Sequence, residues 1–592
     1  MRSFANPVLW KIACAGFLTL VFGIPQTMAQ RRQLETAETL RSRVLKTDRL
    51  EEGRVEDDRE EAEAAEEADE TPFGVNLRSL QLVSHQDNIS TAADPGENPI
   101  VIASDLPAPP SLSSILMPFV EEPLSMALLS RIQKEIIVAW RESDYPLVDV
   151  YFPEQNITGG RLQIVVREAR LGEKTVEGAI VSRKDYLVGQ LRPEPGGRIS
   201  RRVVESDLDW LNENPIRQVD LIYERGEEDG TSDILLNVTE EKAFSAYTGF
   251  ANTGVSLTGE EEWSFGFNLA NPFQREQMFG YHFATDLEWD HLQAHSVFYQ
   301  AFLPWRHTFR IVGAYVTSDS DVVPLLSLEG ESKQLTTEYR IPLMRPEFNR
   351  QWRHSLTFAF DYKSTNTDLI FGGSGLFGTT VSVGQFRGAY EVRVPDKYGI
   401  TRFSTGVVGS PGDLFTDNND VSFAATRAGT EASYAYGFAE VERLFRLPED
   451  FTLRVEMSGQ ASSDRLTATE QVLAGGYDSV RGFNESVVRG DSGFLSSIEL
   501  ISPDFSVGDR LGQTLQDTWN AFLFYDAAAL SISDPLPGEV SPSLQGAGIG
   551  LNCRFSDRGF ARASYGWALD SRGVAPADET GGKFHFGITL TY

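Results

Sequence analysis

Cysteine and histidine are scarce in this 592-residue sequence, which holds 2 of the former and 7 of the latter. Two cysteines exclude a disulfide framework, and the scattered histidines leave no metal-ligand spacing, so neither a metal nor any other cofactor is expected. Basic side chains are also in deficit, 53 against 85 acidic ones, for a formal net charge of -32. That balance excludes a nucleic-acid partner, because phosphate binding needs a basic footprint. Beyond the first thirty residues there is no run of about 18 apolar residues, which excludes a helical membrane protein. A mean hydropathy of -0.25 still leaves a membrane barrel open, since barrel strands alternate and barely register in an average. The length itself predicts roughly two to four domains.

The amino terminus reads as an export signal. Arg2 and Lys11 precede an apolar stretch from Ile12 to Ile24, and Thr27-Met28-Ala29 offers a small-residue cleavage site. The apolar core is too short to span a membrane, so residues 1–29 are expected to be removed, taking Cys14 with them and leaving Cys553 alone. Residues 30–72 read as an N-terminal helix and an acidic linker. Leu34, Leu40, Val44 and Leu45 lie near helical spacing within 31–50. Residues 51–70 carry twelve acidic and two basic side chains, too polar to support a packed core, and predict a mobile tether.

From Phe73 to Lys242 a mixed α and β pattern occurs twice, predicting two small α+β domains over 73–169 and 170–242. In the first, Leu77, Leu80 and Leu82 suggest a strand, and Leu128, Ile132, Ile136 and Trp140 mark one helix face. Strands follow around 147–152 and 162–166. In the second, a helix carries Val204, Leu208 and Leu211 and ends before Pro215, and strands 219–223 and 234–238 flank an acidic turn.

Residues 243–592 show almost no helical periodicity. Trp263–Leu269, Leu356–Tyr362 and Phe451–Met457 alternate strictly between apolar and polar. A soluble sandwich would alternate too. The aromatic character of the apolar members, with Tyr434, Tyr436 and Phe438 as another set, favours lipid interfaces. The segment Phe586–Tyr592 is an amphipathic strand with a terminal aromatic, in which Gly587, Leu590 and Tyr592 read as a terminal-strand signal. At about 10 residues per spanning strand, the region accommodates a transmembrane antiparallel barrel of about 16 strands, with 14 or 18 fitting nearly as well.

One motif stands out in the last third. Gly475, Gly476 and Gly482 surround Arg481, which is flanked by Val480 and Phe483. A guanidinium inside a barrel needs an acidic partner, and Asp526 in the alternating segment Phe522–Asp526 is a candidate. By composition alone, Arg481 fits a solvated loop arginine equally well.

These residues carry a resemblance. Gly475-Gly476-x-x-Ser479-Val480-Arg481-Gly482-Phe483, followed by Gly490-Asp491-x-Gly493 and Glu499, resembles the inward-folded loop and following strand of the two-partner secretion transporters, the hemolysin secretion/activation family. Phe524-Tyr525-Asp526 resembles that family's inner-wall motif, although Ala528 stands where the motif usually has glycine. Pro153 and Gln155, ahead of the Leu162–Val166 strand, resemble the end of its first POTRA domain. Asn214 and Pro215 resemble part of its second.

The resemblance implies two periplasmic POTRA domains and an outer-membrane barrel in a Gram-negative-type bacterium. The implied activity is to bind an unfolded exported client and translocate it to the cell surface. The implied partners are that client, which carries an N-terminal secretion domain, outer-membrane lipid, and the barrel assembly machinery for the chain's own insertion. Rival readings are a membrane-protein insertase and a passive porin or receptor. No enzyme is expected. Gly490-Asp491-Ser492-Gly493 looks like a protease nucleophile sequence but continues with Phe494 and lacks its triad context. His291 and His295 would share only a helical face, and their surroundings read as strand and loop.

Overall fold

The computed structural model describes residues 55–57, 69–89 and 98–592, apart from residues 142, 146, 229, 256–257, 324–325, 347, 350, 372–373, 511–515, 557 and 577. The export signal, the helix expected in 31–50 and most of the acidic segment lie outside the described residues. The chain divides into a unit ending at Lys242 and a second unit that begins at Ala243.

In the first unit, strands β1 (Val55–Asp57), β2 (Ser79–Val83), β3 (Ile100–Ile102), β4 (Val148–Tyr151), β5 (Arg161–Glu168), β6 (Arg170–Glu177), β7 (Arg217–Arg225) and β8 (Thr231–Glu240) form two four-stranded sheets. One has the order β3-β2-β5-β4 and the other β1-β7-β8-β6. Helix Met126–Arg141 covers the first sheet because Leu128, Ile132, Ile136 and Trp140 fall on one face and are buried against Leu80, Leu82, Leu162 and Ile164. Helix Arg201–Leu211 does the same for the second, with Val204, Leu208 and Leu211 packed on Val219, Leu221 and Leu236. Its start is capped by Ser200, whose side chain accepts from the Val203 amide. Strand β1 differs from the expectation of a tether. It pairs in parallel with β7, Val55 opposite Leu221 and Asp57 opposite Tyr223, so this part of the acidic segment covers a sheet edge.

In the second unit, strands β9 (Phe244–Ala251), β10 (Glu262–Ala270), β11 (Gln277–Asp286), β12 (Leu292–Phe302), β13 (Thr308–Val323), β14 (Leu326–Pro342), β15 (Arg353–Phe371), β16 (Ser374–Asp396), β17 (Gly399–Pro411), β18 (Ser433–Arg446) and β19 (Thr452–Ser462) follow as antiparallel neighbours. A long excursion holds the short pair β20 (Val472–Ala474) and β21 (Val488–Gly490). Then come β22 (Ser492–Ile501), β23 (Asp517–Ser531), β24 (Ser543–Phe555), β25 (Gly559–Arg572) and β26 (Gly582–Thr591). Strand β26 pairs with β9 and closes a sixteen-stranded barrel.

The direction of the alternation is the informative part. On β15, Phe358 is 52% exposed on the outer face, whereas Asp361 and Lys363 are 0% and 1% exposed on the inner one. On β23, Leu523 and Tyr525 face outward while Asp526 is buried. Apolar side chains outside and charges inside reverse the soluble pattern and fit a wall immersed in lipid.

Candidate functional site: a loop folded into the barrel

The segment 463–491 between β19 and β22 contacts inward-facing side chains of several strands, which places it inside the barrel. Its path is set by glycines. Gly475, Gly476 and Gly482 have φ of 109°, 103° and 103°, a region that residues with a Cβ rarely adopt. The Ser479 Oγ accepts from the Gly475 amide at 2.9 Å, and the Gly476 amide donates to the Val480 carbonyl at 3.0 Å. This tight turn presents Val480, Arg481 and Phe483 to the wall. Val480 and Phe483 are fully buried in an apolar cluster with Ala528, Leu530 and Leu544. Ala528 occupies the position where glycine was expected, and its methyl group joins that cluster.

Arg481 meets two carboxylates. Its Nε and Nη2 donate to Oδ2 and Oδ1 of Asp526, each at 2.7 Å, a bidentate geometry. The Arg481 backbone amide donates to the same Oδ2 at 3.1 Å, and Ser497 Oγ donates to Oδ1 at 2.8 Å. Nη1 donates to Glu499 Oε1, which also accepts from Arg562 Nη2 at 2.6 Å. The guanidinium lies over the Phe524 ring, 3.6 Å from its centroid. The expected Arg481–Asp526 pairing is thus present in the geometry, and Glu499 adds a second acceptor.

The wall behind Arg481 is built of glycines. A Cβ on Gly546 would lie 2.0 Å from the Arg481 carbonyl oxygen, and one on Gly566 would lie 2.6 Å from the Gly482 amide nitrogen. Gly548 and Gly550 leave room for the Phe524 and Phe522 rings. The spacing Gly546-x-Gly548-x-Gly550 puts all three on one strand face, a signal legible in the sequence but not read from it.

The other expected site residues are distributed. Asp491 is fully buried but lies apart from Arg481; it accepts from both terminal nitrogens of Arg427, at 2.5 and 3.0 Å, and from the amides of Leu466 and Ser533. It therefore ties together the excursions after β17, β19 and β23. Gly493 sits on β22, where a Cβ would meet Leu530 at 2.3 Å. Gln155 pairs its side-chain amide with the backbone of Gln163, both contacts at 2.7 Å, and with Pro153 it lines a cavity of about 660 Å³ near Phe73, Phe152 and Leu162. Asn214 is buried and its Oδ1 accepts from the Ile216 amide at 3.3 Å, shaping the turn at the exposed Pro215 that leads into β7. Gly587 and Leu590 pair with Ala251 and Thr248, and the Tyr592 amide donates to Ala246 at 2.8 Å. All three terminal-strand residues serve barrel closure.

Sequence reasoning missed a further group on the loop. Glu470 is fully buried and pairs with Lys363 of β15 at 2.7 Å, and it accepts from the Tyr436 hydroxyl at 3.0 Å. Among the described residues no group of three His, Cys, Asp or Glu side chains is arranged to hold a metal ion.

The model of the family described as "Haemolysin secretion/activation protein ShlB/FhaC/HecB" matches residues 230–368 and 422–553. The outer membrane transporter CdiB-2 of Burkholderia pseudomallei is 22% identical over 386 residues, which are 62% of each chain. The heme/hemopexin transporter protein HuxB of Haemophilus influenzae is 23% identical over 476 residues, 76% of this chain and 78% of its own. The solved structure of CdiB from Escherichia coli shares the fold at a TM-score of 0.66 and 18% identity, covering 89% of this chain and 95% of that one. The chain thus spans 62% of the length of the first of these relatives. The family match falls mainly on the barrel and takes in its folded-in loop, so in this part the chain is similar to the haemolysin secretion/activation family, and its fold is that of the CdiB barrel.

Proposed function

We propose that this protein is an outer-membrane pore that binds an unfolded exported client through its POTRA domains and translocates it to the cell surface. The observation that carries this reading is the Arg481 loop, held inside the barrel by Asp526 and Glu499. A buried charged anchor that seats a loop in the lumen suits a gated pore better than a permanently open one. The boundaries 73–169 and 170–242 for the two POTRA domains are part of the proposal, as are 1–29 for the export signal and 243–592 for the barrel.

An unfolded client carries unpaired backbone groups, and a sheet edge captures such a segment by strand addition. Both four-stranded sheets of the first unit end in edge strands suited to that role. The client then crosses a polar lumen, and its folding on the far side biases net movement outward. Outer-membrane lipid would contact the outward-facing Phe358, Leu523, Tyr525 and Ile549. The secreted client, with its N-terminal secretion domain, and the barrel assembly machinery complete the proposed partners.

The test is Arg481→Ala in cells producing the channel and its client. Client secretion is expected to fall while the barrel still reaches the outer membrane with heat-modifiable mobility. Equal surface levels of barrel and client would refute the reading. Deleting residues 73–241 separates it from a passive pore, which would keep its conductance and its solute uptake.

A further inference from the structure

The folded-in loop is held at several places, among them Arg465 by Glu539 and Leu466 by Asp491, and two of its anchors differ in kind. At Arg481 the loop is held by two carboxylates, a serine, an aromatic face and a slot of wall glycines that backbone atoms fill. At Glu470 it is held by one ammonium group and one hydroxyl. Lys363 Nζ donates to Glu470 Oε1 at 2.7 Å, and Tyr436 Oη donates to Oε2 at 3.0 Å. Around this pair the wall is polar and ordered. Tyr434 Oη donates to Gln385 at 2.7 Å, and Gln385 and Thr336 both donate to Asp361. The loop's own Glu470 carbonyl accepts from Gln460 of β19 at 2.9 Å. The two anchors stand on β15 and on β22 and β23, so the loop reaches across wall positions six strands apart in the order β15 to β23.

We propose that Lys363 and Glu470 are positioning residues that form a releasable latch on this loop, with Arg481 as its fixed hinge. The proposal rests on the reading of the protein as a translocation pore. A buried Lys–Glu pair gains its attraction at the expense of the hydration of both ions. When water enters the lumen both charges are hydrated again, so separation there is nearly balanced. Separation at Arg481 is not, because the guanidinium is also stacked on Phe524 and its backbone is set between Gly546 and Gly566. Opening therefore begins on the β15 side. Residues 467–470 move away from Lys363 and Tyr436 while Arg465, Leu466 and residues 480–483 stay seated.

Conductance of the purified full-length channel in planar bilayers, with potassium chloride as the permeant salt, tests this without any client. Lys363→Gln and Glu470→Gln are each expected to raise open time about tenfold, the effect of losing one charge-assisted hydrogen bond. The exchange K363E/E470K should return it toward the parent value, which a general loosening of the barrel would not do. Heat-modifiable mobility verifies folding of each variant. In a Cys553→Ser background, cysteines at 363 and 470 joined by a reductant-cleavable bismaleimide should abolish openings until reductant is added. Openings that persist in the cross-linked channel, or single variants with parental open time, would overturn the latch. A channel that behaves as described yet secretes no client would instead overturn the functional reading.

Discussion

Replacing Asp526 by alanine removes four hydrogen-bond acceptances at once: from Arg481 Nε, Nη2 and backbone N, and from Ser497 Oγ. Arg481 is left with the Ser497 hydroxyl at 3.2 Å and with Glu499, whose carboxylate already serves Arg562 at 2.6 Å and stands 3.8 Å from Arg454. Breaking a buried ion pair by removing one partner typically costs about 3–5 kcal/mol. Water in the lumen can reach the released guanidinium, so the lower figure applies, and about 3 kcal/mol shifts the docked-to-undocked ratio roughly 100-fold. Trypsin reads that ratio directly. Arg481 is 3% exposed and closed to the protease when docked, and cleavage follows the undocked population where reclosing outpaces cutting. In the folded barrel, identified by heat-modifiable mobility, Asp526→Ala should be cut at Arg481 on the order of 100 times faster than the parent. A folded Asp526→Ala barrel cut there at the parental rate would refute the argument that this carboxylate holds the loop.

Three further outcomes are expected. Gly546→Ala leaves every charge in place but sets a methyl group 2.0 Å from the Arg481 carbonyl, so it should undock the loop in the same trypsin assay. Gly437→Ala, whose Cβ meets nothing closer than 3.8 Å, should not. Glu240 accepts from the amides of Ile180, Val181 and Ser182. Burial pushes its pKa up, but these hydrogen bonds outweigh burial and hold it below the usual carboxylate value of 4.5. A lowered folded pKa contributes stability above the unfolded value that is lost as pH falls through the folded one. Glu240→Gln should therefore destabilise the first unit by about 1 kcal/mol at neutral pH, after allowance for solvent screening. The gap should close in acid, as followed by urea unfolding at stepped pH; a gap independent of pH would contradict this. Finally, Glu56→Pro should remove β1 from β7 and speed hydrogen exchange of amides within 219–223, while β8 keeps its protection on β7.

The alternation of Trp263–Leu269 and Leu356–Tyr362 was enough to read strands, because period two places one face in lipid and the other in the lumen. Helix Met126–Arg141 was legible for the equivalent reason at a period near four. The site was legible in part: alternation offered Asp526 as a candidate partner for Arg481, 45 positions away, but a loop arginine beside glycines is ordinary, and the resemblance made the choice. Glu499 was named in the motif without its role as second acceptor, because only strand register sets it beside Asp526: Ser497 opposes Asp526 and Glu499 opposes Phe524. Lys363 and Glu470 were illegible, being 107 positions apart and joined by closure of the barrel rather than by local pattern. Strand β1 was misread for a physical reason. Twelve acidic side chains in twenty residues argue against a core, yet an edge strand bonds through its backbone and needs no core of its own.

The joint between β26 and β9 dictates an order of events during biogenesis. Fifteen of the sixteen joints unite strands that are consecutive around the wall as the chain runs, and each can zip from its neighbour; this one unites Tyr247 with Thr591. It has five register pairs, against nine between β10 and β11. Closure is thus both the most distant pairing in the chain and among the thinnest. Long-range pairing of this kind is slow to nucleate, because the chain entropy is lost before contacts compensate for it. Until it forms, the sheet is a curved ribbon with two bare edges in a compartment full of other unfolded strands. Pairing of β26 with β9 removes both edges at once, so the risk of pairing with a foreign strand ends at this one joint.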